Sequence, residues 1–142
     1  MPFFSLGITS LIYFLGEKYL GVWTLGDTSS QFFTLLTYIP LISLLSVAVY
    51  SSISEELVYR LFGISFFKKY TKSTILAVFI TTIIWAVAHS NYSVFPYYFR
   101  AIELIITGLL FGYFFVRYDL ATTITAHYVF NSLVFGLIFL VT

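Results

Sequence analysis

The chain has 142 residues, 60% apolar and 9% charged, with a net charge of +1 and a mean hydropathy of +0.97. A soluble domain carries about 25% charged residues, so this composition predicts an integral membrane protein with room for one domain, residues 1–142. The near-neutral charge offers nothing to nucleic acid, and the lack of cysteine excludes disulfides, thiol catalysis and thiolate metal sites.

Phe3 to Gly16 is the first apolar stretch, 14 residues ended by Glu17 and Lys18. It crosses a bilayer only if those charges snorkel to the headgroups, with Tyr19 and Trp23 at the interface. It has no basic leading region and no small-residue cleavage site, so it does not read as a removable signal peptide. Gly21 to Gln31, with Gly26, Asp27, Ser29 and Ser30, reads as a polar loop. A bilayer core needs about 20 helical residues, and four stretches then qualify: Pro40 towards Phe67, Ser73 to His89, Pro96 to Val116, and Leu120 to Val141. Pro40 suits a helix's first turn, or a kink in a helix begun near Phe32. Phe66 to Lys72, Ser90 to Ser93 and Tyr118-Asp119 read as connections. The predicted fold is all-α, a polytopic transmembrane bundle of four to five helices. Lys68, Lys69 and Lys72 put their connection on the cytoplasmic side, and Arg117 returns to that side two spans later. The Phe-, Tyr- and Ile-rich composition suggests a microbial source, hence a prokaryotic cell membrane.

Three polar motifs interrupt these apolar stretches: Glu55-Glu56-x-x-x-Arg60, Trp85-x-x-x-His89 and His127-x-x-x-Asn131. The i, i+4 spacings put each pair on one helix face. An ionisable group inside a bilayer is costly and marks a functional site with a partner. With a rise of about 1.5 Å per residue, Glu55 lies about 20 Å in from Lys68 and His89 about 25 Å from Lys72. His127 lies about 12 Å and Asn131 about 18 Å from Asp119, depths compatible with one site. Each motif alone has a plainer explanation. Glu56–Arg60 could be an intramembrane salt bridge, and each histidine or Asn131 could be an interhelical hydrogen bonder. Together they favour chemistry, because Glu55 is left over once Arg60 neutralises Glu56. Gly108-x-x-x-Gly112 reads as helix packing, and Arg100 with Glu103 as a salt bridge at the rim.

In this order on successive helices, EELVYRLFG, the aromatic-x-x-x-His and ITAHYVFN resemble the CPBP intramembrane proteases. That family includes the CAAX prenyl endopeptidases and the bacteriocin-processing and immunity (Abi-type) proteins. The resemblance covers Ser54 to Ser132. Two positions depart from the pattern: Trp85 stands where the family usually has Phe, and Gly63 lies further from Arg60 than usual. The resemblance implies that Glu55 and His89 hold and activate water, and that His127 and Asn131 stabilise the oxyanion. Glu56 completes the catalytic set, with Arg60 and Trp85 supporting. Burial agrees with this division, since an imidazole and a carboxamide both offer N–H groups to a developing oxyanion. Zinc would take Glu55, His89 and His127 with an open position, but His-Glu-x-x-His is absent, so no cofactor is required and zinc is the alternative. The substrate would be a membrane-associated or leader-bearing peptide or protein, and the lipid bilayer the other partner. Two further readings are a noncatalytic immunity or scaffold protein, and a proton-coupled transporter subunit in which Glu and His form a relay.

Overall fold

The computed structural model describes residues 2–24, 40–89 and 94–141. The predicted loop beyond residue 24, the start of a helix near Phe32 and the turn at 90–93 lie outside the described residues. Five helical rods make up the described body. The first is α1, Pro2–Leu20. The second begins as α2, Pro40–Glu55, passes without a break through a π-helical segment, Glu56–Ile64, and continues as α3, Ser65–Thr71. The others are α4, Thr74–Ala88, α5, Tyr97–Arg117, and α6, Leu120–Val141. A two-residue antiparallel pairing of β1, Trp23–Thr24, with β2, Val94–Phe95, closes one end, Trp23 opposite Phe95.

The all-α expectation holds for this body. The expectation of four spanning stretches is met by only one helix on length and hydropathy: among the described residues, Tyr98–Arg117 qualifies, with a mean hydropathy of 1.7. The helix Thr74–Ala88 is apolar but has 15 residues, about 22 Å against a core of about 30 Å.

Two boundaries differ from the sequence reading. α1 runs on through Glu17 and Lys18 to Leu20. The expected connection at 66–72 is mostly helix, along which Phe62, Phe66 and Tyr70 meet at i, i+4 spacing, Phe62 stacked on Phe66 at 5.7 Å and Tyr70 tilted against it at 5.0 Å, contacts that favour the helix. The turn narrows to Lys72, which closes α3 in the left-handed region at φ 57°, and Ser73. Ser73 then caps α4 by accepting from the Leu76 N–H at 3.3 Å. At the other turn, Asp119 caps α6 by accepting from the Thr122 N–H at 2.6 Å, which holds its carboxyl below the usual carboxylate range.

α2 packs mainly on α6, and α4 mainly on α5. The α4–α5 approach rests on the predicted small residues. A Cβ at Gly108 would stand 2.8 Å from Thr82 Cγ2, and one at Gly112 would stand 2.5 Å from Val78 Cγ1. α1 packs on α5 and α6. Here one expectation is corrected. Glu103 pairs with Arg100, but it is buried, 1% exposed, not at a rim. Its carboxylate also accepts from Thr9 of α1 and Thr107, each at 3.1 Å, and Arg100 donates to Tyr13 of α1 at 3.1 Å. A buried carboxylate needs such donors, and α1 supplies part of the set.

Candidate active site

The π-helical segment begins at Glu56, one residue after Glu55, so the two adjacent carboxylates sit at the junction of α2 with a wider helical register. π-turns inside helices are frequent at functional sites. The two carboxylates serve different partners.

Glu55 reaches across to α4 and its C-terminal end. The Trp85 indole N–H donates to Glu55 Oε2 at 2.6 Å, and His89 Nε2 stands 3.5 Å from the same oxygen. His89 Nδ1 lies 2.8 Å from the Trp85 carbonyl oxygen. A carbonyl only accepts, so Nδ1 carries a proton. In the neutral imidazole, Nε2 is then a lone pair facing Glu55. The two groups stand within ion-pair distance of each other, close enough for one water beside them to reach both. Both side chains are about one-fifth exposed, His89 17% and Glu55 20%.

Glu56 is fully buried and serves α6 and its own rod. His127 Nδ1 lies 2.7 Å from Glu56 Oε1, and Arg60 Nε lies 3.3 Å from Glu56 Oε2. The arginine pair is close in charge but not aligned as a hydrogen bond. Glu56 Oε2 and Arg60 Nη1 have no hydrogen-bond partner among the described residues. The guanidinium lies 4.8 Å from the Trp85 ring centroid and 5.6 Å from that of Phe111, a cation–π seat. The His127 ring stacks on Phe111 with centroids 4.7 Å apart and meets the edge of Trp85 at 6.4 Å.

Trp85 therefore touches both halves, and the structure brings Glu55, Glu56, Arg60, Trp85, His89 and His127 into one cluster. Asn131 stands apart in its bonding. Its Nδ2 donates to Ser51 Oγ at 2.9 Å, one helical turn before Glu55. Sequence reasoning missed Ser51, although its i, i+4 relation to Glu55 was a usable signal. It also passed over Phe111, which is fully buried at 0% exposure.

The zinc alternative names Glu55, His89 and His127 as ligands. Among the described residues no group of three histidine or carboxylate side chains is placed to hold a metal ion.

Residues 37–133, well over half of the chain, match the family described as Rce1-like, type II CAAX prenyl endopeptidase Rce1-like. The sporulation-killing factor biosynthesis protein SkfC of Bacillus subtilis (strain 168) is 29% identical over 129 residues, covering 89% of this chain and 25% of SkfC. The chain spans about a quarter of the length of that curated relative. No solved structure matches.

Proposed function

The chain belongs to the Rce1-like family of type II CAAX prenyl endopeptidases, and we propose that it is an intramembrane endopeptidase in which Glu55 and His89 activate water. The observation that carries this reading is the 3.5 Å gap between Glu55 Oε2 and His89 Nε2. Water bound beside the pair donates one hydrogen to Glu55 and the other to Nε2. Glu55 takes the first proton as the water oxygen attacks the scissile carbonyl, and later delivers it to the departing amine. General acid–base catalysis of this kind is worth about 10²–10⁴-fold.

The oxyanion formed in that step needs N–H donors. Asn131 has a second N–H beyond the one given to Ser51. His127 holds Nδ1–H towards Glu56, so it donates from Nε2 only as an imidazolium. Each donor of this type is worth about 10²–10³-fold. Glu56 and Arg60 orient His127, much as a carboxylate orients a catalytic imidazole. The proposed step uses no metal ion.

The protein is a multi-pass membrane protein. Its rods present large apolar side chains outward, with Phe3 70%, Ile75 84% and Val87 65% exposed, a surface suited to lipid. The relative from Bacillus supports a prokaryotic cell membrane, and its name as a sporulation-killing factor biosynthesis protein supports a leader-bearing or membrane-associated peptide as substrate. The test is purification in detergent, metal analysis, and cleavage of an internally quenched peptide library by wild type and Glu55→Gln. Metal-free wild type that cleaves, with an inactive folded Glu55→Gln, is the expected result. A fully active Glu55→Gln overturns the reading.

A further inference from the structure

We infer that Trp85 is a positioning residue that fixes both members of the Glu55–His89 pair, Glu55 through its indole N–H and His89 through its backbone carbonyl. The inference rests on the proposed role of Glu55 as the base. Both contacts converge from one residue: indole Nε1 lies 2.6 Å from Glu55 Oε2, and the carbonyl oxygen lies 2.8 Å from His89 Nδ1. The side chain holds one reactant group and the main chain sets the tautomer of the other.

The indole itself has little freedom. It is 3% exposed, with the Arg60 guanidinium on its face at 4.8 Å and the His89 ring at 4.7 Å between centroids. Gly108 leaves the room its six-membered ring occupies, since a Cβ there would stand 2.9 Å from Trp85 Cε3. A phenylalanine fits this slot and keeps the ring contacts, but has no N–H for Glu55. A carboxylate held by one fixed donor keeps Oε2 in place against His89 Nε2, where the reacting water is proposed to bind. Without that donor Glu55 rotates freely about its last torsion, and productive geometry becomes one of several orientations.

Two measurements test this separately from the catalytic reading. The first is the indole ¹⁵N–¹H spectrum of the protein in detergent. The chain has two tryptophans, so Trp85→Phe assigns the Trp85 resonance by its loss. Folded Glu55→Ala should move the Trp85 indole proton upfield and leave the other indole in place. Should Glu55→Ala not fold, Glu55→Gln, with a neutral acceptor, reads the same shift. A Trp85 resonance that stays put overturns the inference whatever the enzyme does. The second measurement is the steady-state cleavage of an internally quenched peptide that the wild type cuts. Trp85→Phe should lower kcat by about tenfold or more, the worth of one hydrogen bond to a charged group, with KM unchanged and the melting temperature close to wild type. An unchanged kcat in folded Trp85→Phe also overturns it. Activity in Glu55→Gln would instead remove the catalytic reading, while the resonance shift would still report the Trp85–Glu55 contact.

Discussion

His127 donates its Nδ1–H to Glu56 Oε1, 71 positions away in sequence and 2.7 Å away in space. This ties α6 to the π-helical segment with a buried charged group that Arg60 also faces, at 3.3 Å. Breaking a buried pair by removing one partner costs about 3–5 kcal/mol, because the other charge is left uncompensated. Arg60→Ala should therefore reduce expression and melting temperature as well as activity. An abundant, stable and inactive Arg60→Ala would give Arg60 a direct part in the chemistry instead.

The same logic separates charge from function. Glu56→Gln should destabilise, while the double change Glu56→Gln with Arg60→Met should recover much of the lost melting temperature, since an apolar replacement of a buried pair is often neutral or stabilising. Peptide cleavage should stay low in the double variant, because His127 still lacks its carboxylate. Thermal melts and rates on the same preparations measure both halves of the statement.

Asn131 and Ser51 give a graded pair. Asn131→Ala should lower kcat by about 10²–10³-fold and leave a residual rate, as for loss of one oxyanion donor. Ser51→Ala removes only the acceptor that orients the amide, worth about 0.5–1.5 kcal/mol, so its rate should fall by no more than about tenfold. A Ser51→Ala defect as deep as that of Asn131→Ala would contradict this order.

The buried polar clasp on α1 can be tested without activity. Glu103 accepts from Thr9 and Thr107 and pairs with Arg100. Glu103→Ala should destabilise by about 3–5 kcal/mol and make α1 the first segment cut in limited proteolysis. Unaltered proteolysis would mean that apolar packing alone seats α1.

Much of this site was legible because helical spacing is a strong geometric constraint. Glu56 with Arg60 follows from i, i+4 on one rod, and Gly108 with Gly112 marks the close approach of two helices. The division of the carboxylates, Glu55 to His89 and Glu56 to His127, was not in any spacing. It depends on the angle at which α2 meets α4 and α6, and on a π-helical register that no local motif announces. Ser51 was hidden for a related reason. A serine in an apolar helix usually bonds its own i−4 carbonyl, and Ser51 does so, donating to the Val47 oxygen at 2.8 Å, yet it still accepts from Asn131. Glu103 was misplaced at the rim because its partners Thr9 and Thr107 are weakly polar and do not stand out in an apolar run.

The Gly108 contact links fold to site. A methyl at that position would meet Thr82 and Trp85 at 2.8 and 2.9 Å, and overpacking of this kind costs about 1–3 kcal/mol. Gly108→Ala should lower the melting temperature and push the indole off Glu55, so its kcat should fall further than that of Gly112→Ala, whose new methyl meets Val78 instead. Equal rates in the two variants would show that displacement of Trp85 does not reach the reaction.

The central claim is that Glu55 takes the proton from water, and one measurement addresses it most directly: peptide cleavage by matched amounts of folded wild type and Glu55→Gln in the presence of a strong chelator. Glutamine keeps the shape and accepts the Trp85 N–H but cannot act as the base. The account predicts a chelator-insensitive wild-type rate and a fall of at least about 10²-fold in Glu55→Gln. A Glu55→Gln rate near that of the wild type would contradict it.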